Sequence, residues 1–297
     1  MSRKLTTRQQ LEELLDRYDT FLFDCDGVIW LGNTLVSGAK EALELLKKRG
    51  KRLIYITNNS MVSREDYTKK FARMGLSATK DEVFSSSHAT ATYLAKVVNF
   101  PRDKTVYYIG GSGIKHELDE AGIQSITDEA TTTVDADELK LIQPNPEVGA
   151  VVFGLDLQIN YRKLARAHVY LSKIPGCLFV ATNTDTTLPM DNNVLPGCGS
   201  LLASLIHSVG RQPVVIGKPN KTMMDVIEAQ YHIDPKRTLM VGDRIDTDIE
   251  FGANCGIDTL LVLTGVTNEA MANDPTSTNP TYYMDSIGDF SQLTVDE

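Results

Sequence analysis

The chain has 297 residues, 42% of them hydrophobic, which is enough to bury a large core and to divide into two domains. The 30 basic against 39 acidic residues, a formal net charge of −9, argue against nucleic-acid backbones and anionic membrane surfaces as partners, although a local basic pocket for a small anion stays open. Cys25, Cys177, Cys198 and Cys255 are far apart and the histidines stand singly, so neither a zinc site nor a disulfide framework is expected and a reducing compartment fits. The first ten residues carry no apolar signal core, and no apolar run approaches the ~18 residues of a membrane span. A soluble, cytoplasmic protein is the expectation.

In chain order, Thr7 can cap a short helix with Leu11, Leu14, Leu15 and Tyr18 on one face. Phe21-Leu22-Phe23 then reads as a buried strand that ends in two acids, Asp24 and Asp26, before Gly27 turns the chain. Two ionised groups at the mouth of an apolar strand repel each other and lose hydration, so a cation must offset them or one must hold a proton. The plainer reading is a pair of turn formers beside a glycine. Ala39 to Leu46 has helical spacing that stops at Gly50, and Arg52–Thr57 is a second buried-type strand ending in Asn58, Asn59 and Ser60. A helix from about Ser63 to Met74 follows. Strand, helix, strand, helix is a parallel βαβ arrangement, which sets the two polar strand ends side by side.

From about Asn99 to Gln212 the pattern changes, which marks an inserted domain. Val106–Ile109 leads through Gly110-Gly111-Ser112-Gly113 into a helix from Ile114 to Ala121. That glycine-rich turn could cradle phosphate, but it lacks a Walker lysine and tight-turn geometry is the preferred reading. Residues 127–147 read as a solvated loop. Val148–Leu155, a helix from Tyr161 to Lys173, and Leu178–Thr182 give further α/β alternation, followed by a polar turn, Asn183 to Pro189.

The first pattern resumes at Val214-Val215-Ile216-Gly217-Lys218-Pro219, read as a strand ending in a lysine. The helix after Asn220 places Met223, Met224, Val226 and Ile227 in a core stripe, and Thr238–Val241 ends in Gly242-Asp243-Arg244-Ile245-Asp246-Thr247-Asp248. Thr259–Leu263 is the last strand expected, and the polar tail beyond is unassigned. The boundaries read as core 1–98, insert 99–212 and core 213–297. Four strand ends thus offer Asp24 and Asp26, Thr57 and Asn58, Lys218, and Asp243 with Asp248. As chemistry this is a site for a phosphorylated small molecule: carboxylates suit a hard divalent cation such as Mg²⁺, while Lys218 and the Thr57 hydroxyl suit phosphoryl oxygens.

D-C-D-G-V, T-N-N-S, G-K-P-N and G-D-R-I-D-T-D, in that order, resemble the four motifs of the haloacid dehalogenase superfamily, over about Tyr18 to Gly265. D-C-D-G-V-I-W-L-G, T-N-N-S-x-x-S-R and L-P-G-x-G-S-L are similar in particular to its eukaryotic 4-nitrophenylphosphatase and 2-phosphoglycolate phosphatase branch, which includes pyridoxal phosphate phosphatases. The resemblance implies a Rossmann-like parallel-sheet core with an inserted α/β cap domain, and a homodimer formed through that cap. It implies Asp24 as the nucleophile forming an aspartyl-phosphate and Asp26 as acid and base, a role fitted to a carboxyl group that keeps its proton beside other anions. It implies phosphate binding by Thr57, Asn58, Asn59 and Lys218, and Mg²⁺ held by Asp24, the Asp26 carbonyl and Asp243, with Asp248 orienting the metal shell. Leu188, where pyridoxal phosphate enzymes carry histidine, points to 2-phosphoglycolate. Dehalogenases lack the second acid, and ion-pumping ATPases need membrane spans. A pyridoxal phosphate phosphatase and a catalytically silent phosphate-binding protein remain the alternatives. Cys25, between the two acids, is read either as packing beneath the strand or as an oxidant-sensitive thiol.

Overall fold

The computed structural model describes residues 2–128, 135–190 and 193–293. They divide into two compact units, one of residues 1–57, 67–84 and 218–297 and the other of residues 58–66 and 85–217. The class is α/β, a parallel-sheet core with an inserted α/β domain.

The first unit is built on a seven-stranded sheet in the order Arg3–Lys4, Tyr282–Met284, Asp258–Val262, Thr238–Gly242, Thr20–Phe23, Arg52–Thr57, Val83–Ser85. The pairings from Arg3–Lys4 across to Arg52–Thr57 are parallel. Phe21, Leu22 and Phe23 are each 0% exposed, which is why that strand shows no polar alternation: both of its faces are buried. The helix Arg8–Arg17 begins with a capping box at Thr7 and buries Leu11, Leu14 and Leu15. Beside the central strands, Trp30, Tyr55 and Phe71 form an aromatic cluster with ring centroids 4.9 Å (Trp30–Phe71) and 4.5 Å (Tyr55–Phe71) apart. The tail left unassigned from sequence supplies Tyr282–Met284, whose register against Leu260–Val262 extends the sheet.

The second unit holds a five-stranded parallel sheet in the order Val214–Val215, Leu178–Ala181, Val148–Phe153, Thr105–Ile109, Ser125–Ile126. Helices Tyr161–Lys173 and Cys198–Val209 contribute Ala167, Tyr170, Leu171, Leu202 and Leu205 to its core. An antiparallel hairpin, Thr187–Met190 with Asn193–Pro196, takes up the last residues of the stretch Asn183 to Pro189 read as a polar turn. Within residues 127–147 a short helix, Ala136–Lys140, replaces part of the expected loop, and residues 129–134 lie outside the described residues.

The units join elsewhere than at 98/99 and 212/213. Val214–Val215, read as a core strand, pairs with Val180 and Ala181 and so belongs to the second unit. Residues 58–66 and 85–98, read as core, also pack there. An apolar parallel strand carries the same pattern whichever sheet takes it up, so the pairing partner decides the boundary.

Candidate active site

The site of the first unit lies at the carboxyl ends of two neighbouring strands, where open parallel sheets bind ligands. Phe23 pairs with Val241, and the Asp24 N–H continues the ladder to the Val241 carbonyl at 2.8 Å. Asp24 and Asp243 therefore emerge side by side, each one step past its strand. Gly27, at φ +91, closes the turn after Asp26; a Cβ there would lie 2.5 Å from the Asp243 carboxyl, so only glycine admits that side chain.

Lys218 is 2% exposed and holds this end of the sheet together. Its ammonium donates to Asp24 Oδ1 at 2.6 Å, to Asp248 Oδ1 at 2.8 Å and to the Ile56 carbonyl at 3.3 Å. Asp248 is carried back over the strand end by a turn of π-helix, Ile245–Ile249, and its Oδ2 accepts the backbone N–H groups of Asp243 and Arg244, both at 3.1 Å. Asp243 Oδ2 accepts the Val266 N–H at 2.7 Å. Thr57 ends its strand 3% exposed, its hydroxyl 3.3 Å from the Tyr67 hydroxyl.

Three carboxylates crowd together here, and the one ammonium among them pairs with Asp24 and Asp248. Burial pushes Asp24 well above the usual carboxylate range, and the charges of Asp248 and Asp243 add to it against the opposing pull of Lys218. Burial first, then Asp248, raises Asp243 to about 7. Burial opposes the Lys218 charge, but Asp24 and Asp248 outweigh it and raise the group. Ligand oxygens of Asp24, Asp243 and Asp248 lie within 4.8 Å of one another, and the buried Asp243 Oδ1 has no hydrogen-bond partner among the described residues. Hard oxygen donors, excess negative charge and one unsatisfied lone pair fit a divalent cation of the Mg²⁺ type.

Asp26 departs from its expected setting. Its side chain is 51% exposed, and its neighbours are not anions but the Trp30 indole N–H, 2.8 Å from Oδ1, and the Lys70 ammonium, 3.5 Å from Oδ1. Crowding by other carboxylates is therefore not what surrounds it, because the Gly27 turn swings Asp26 away from the buried face that takes Asp24. Sequence reading missed Trp30 and Lys70. Trp30 was within reach, four residues after Asp26 in one turn, whereas Lys70 carries no local signal.

Asn58 and Asn59 fall in the second unit. The Asn58 amide donates to Asp185 Oδ1 at 2.9 Å, and its carbonyl accepts from Ser86 at 2.6 Å and from Asn183 at 2.8 Å. Asn59 accepts the Met61 N–H and shapes its own turn. Leu188, on the first hairpin strand, is half-buried against the core of its unit. The glycine-rich turn is not a cradle: the Gly113 N–H donates to the Met61 carbonyl at 3.0 Å, and a Cβ on Gly113 would meet Val62 backbone at 2.5 Å. Cys25 is 0% exposed, and burial, with Asp24 and Asp26 adding to it, raises its thiol well above its usual range, so packing describes it and thiolate chemistry does not.

Residues 21–124 match the model of the haloacid dehalogenase-like hydrolases, and residues 215–290 match a second, HAD-hydrolase-like model. The chain is 44% identical to phosphoglycolate phosphatase 2 of Arabidopsis thaliana, over 99% of both chains. It is 40% identical to the 4-nitrophenylphosphatase of Schizosaccharomyces pombe, over 98% of this chain and 99% of that one. Among solved structures, the glycerol phosphate phosphatase of Mycobacterium tuberculosis in complex with magnesium superposes with a TM-score of 0.79 at 28% identity, covering 93% of this chain and 77% of that one.

Proposed function

The chain belongs to the haloacid dehalogenase-like hydrolases, and we propose that within them it is a Mg²⁺-dependent phosphatase of small phosphate monoesters, with 2-phosphoglycolate as its preferred substrate class. The observation that carries this reading is the buried Asp24–Asp243–Asp248 cluster bridged by Lys218.

Asp24 and Asp243, with the main-chain carbonyl of Asp26, would hold the cation, and Asp248 would orient them; when bound it supplies positive charge that draws in phosphoryl oxygens and offsets the anionic nucleophile. Asp24 attacks phosphorus, and the bond from phosphorus to the ester oxygen breaks. Asp26 gives its proton to that departing oxygen. The aspartyl-phosphate so formed is opened by water that yields a proton to Asp26, releasing phosphate and restoring the Asp24 carboxylate. Lys218 keeps Asp24 oriented and, with the Thr57 hydroxyl and the Asn58–Asn59 backbone, binds phosphoryl oxygens.

The second unit acts as a cap that reads the leaving group. Leu188 offers no hydrogen bond to a pyridine ring and favours a short substrate, so 2-phosphoglycolate ranks ahead of pyridoxal phosphate. The exposed apolar side chains of the hairpin, Met190 (49%), Val194 (70%) and Leu195 (43%), support a homodimer formed through this unit. Four free cysteines support a reducing, cytoplasmic setting. Among the described residues no helix is long and apolar enough to cross a membrane.

The test is phosphate release with Mg²⁺ and with chelator. Mg²⁺-dependent turnover of 4-nitrophenyl phosphate is expected, and its absence would favour a silent phosphate-binding protein. The kcat/KM for 2-phosphoglycolate should exceed that for pyridoxal phosphate, and Leu188→His should narrow the gap by about tenfold, the scale of one hydrogen-bonding contact. A wild-type preference for pyridoxal phosphate defeats the specificity reading.

A further inference from the structure

The turn that separates Asp26 from Trp30 is closed by its own backbone. The Gly27 N–H donates to the Trp30 carbonyl at 2.8 Å, and the Cys25 carbonyl accepts the N–H groups of Ile29 (2.9 Å) and Trp30 (3.3 Å). Trp30 is 0% exposed and is gripped edge-on by Phe71 and stacked with Tyr67 at 6.4 Å. Its indole N–H is thus a donor of fixed direction, and it is aimed at Asp26 Oδ1, 2.8 Å away. Lys70, from the helix Arg64–Arg73, lays its ammonium 4.2 Å from the Trp30 ring centroid and 3.5 Å from the same Asp26 oxygen. An aspartate with half its side chain in water would ordinarily turn freely about both side-chain torsions. This one is moored through a single oxygen by two donors from inside the unit.

We propose that Trp30 and Lys70 are positioning residues for Asp26, fixing its carboxyl group so that proton transfer to the ester oxygen runs through Oδ2. Oδ1 is taken up by the Trp30 N–H and the Lys70 ammonium. Oδ2 is the oxygen left to give the proton to the leaving group and to take one from water. The mooring removes the torsional freedom that would otherwise have to be lost each time that oxygen is brought to the leaving group. The inference rests on the proposed acid role of Asp26, and the experiment separates the two.

The measurement is the ratio of kcat/KM for an alkyl phosphate to that for 4-nitrophenyl phosphate, because kcat/KM reports the step in which the leaving group departs and nitrophenolate needs no proton. It is taken on wild type, Asp26→Asn, Trp30→Phe, Lys70→Met and Lys70→Arg. Asp26→Asn should collapse the ratio by about a hundredfold, the lower range of general acid catalysis. Trp30→Phe, which keeps a ring but loses the N–H, and Lys70→Met should each lower it by about tenfold, and Lys70→Arg should restore most of it. A merely structural role would lower both substrates alike and leave the ratio at the wild-type value. A wild-type ratio in Trp30→Phe and Lys70→Met, with a collapsed one in Asp26→Asn, overturns the positioning role and leaves the acid role standing. An unchanged ratio in Asp26→Asn overturns the acid role, and the positioning role with it. Lys70 lies on a helix with its side chain 21% exposed, so Lys70→Met keeps the test decisive if Trp30→Phe fails to fold.

Discussion

Each unit buries a knot of ionisable side chains, and the two knots are charged on opposite terms. In the first, Asp24, Asp243 and Asp248 face one ammonium, Lys218, and both Asp24 and Asp243 are pushed up. In the second, Glu117 is 1% exposed and accepts from the Arg64 backbone N–H at 2.8 Å and from Arg64 Nε at 2.9 Å, with His88 Nδ1 at 3.2 Å. Burial would raise Glu117, but the His88 and Arg64 hydrogen bonds and their charges outweigh it and hold the group down at about 2. A knot built to hold chain segments together is balanced within itself. The strand-end knot is left short of positive charge, and that deficit is what a cation and a phosphoryl transfer can use.

The comparison can be broken most sharply at Asp24. Asp24→Asn should remove at least about 10³-fold of phosphatase turnover, since an amide cannot attack phosphorus, while the thermal midpoint stays level or rises because one of three crowded charges is gone. Residual turnover near wild type would sink the nucleophile assignment, and a large fall in midpoint would mean that this knot is structural after all.

Glu117→Ala should behave in the reverse way. It takes from Arg64 and His88 the buried carboxylate they share, leaving Arg64 its pairing with Glu120 at 2.9 Å, and should cost about 3 kcal/mol of stability, the low end for breaking a buried ion pair. Urea titration reads this directly, and a loss below about 1 kcal/mol, the level of an exposed pair, would show that Glu117 is no clamp.

The smallest effect, and the finest test, is pH. Glu117 is held at about 2 against an ordinary 4.5, so its contribution is present above the unfolded value and is lost as pH falls from 4.5 towards 2. Asp243 is raised to about 7 against an ordinary 3.8, so between those values the folded protein keeps a proton that the unfolded chain has released. Without metal, stability should therefore fall as pH rises from 3.8 to 7 on account of Asp243, opposite in sign to the Glu117 limb. Urea midpoints across pH should show both limbs. Mg²⁺ should flatten the second limb, and Asp243→Asn should shrink it while Asp24, which burial also pushes up, keeps the remainder; a limb of unchanged depth in Asp243→Asn would assign it to another group.

Much of this was readable before any coordinates. The strands that carry Asp24, Thr57 and Asp243 announce themselves because a strand covered on both faces must be apolar throughout, and each stops at a polar residue. The helix Tyr161–Lys173 matches its reading end to end, since Asn160 caps its start by accepting the Lys163 N–H. The Thr187–Pro196 hairpin did not show, because most of it is exposed and has no alternation to display. Nor did the strand Arg3–Lys4, two polar residues that exist as a strand only because Tyr282 and Tyr283 offer an edge.

The order of acids, lysine and glycines along the chain determined which groups could meet, because parallel βαβ units deliver successive strand ends to one edge of a sheet whatever their loops contain. Tertiary structure decided how they meet. Lys218 lies 30 residues from Asp248 and 194 from Asp24, and no local pattern says that its ammonium bridges both. The same holds for Asp26, which shares a motif with Asp24 yet is moored outward by Trp30 and by Lys70 from a later helix. Local sequence sets torsions and periodicity within a few residues. The partner of a charge is set by whichever surface the fold brings within a few ångströms, and that is a property of the folded chain as a whole.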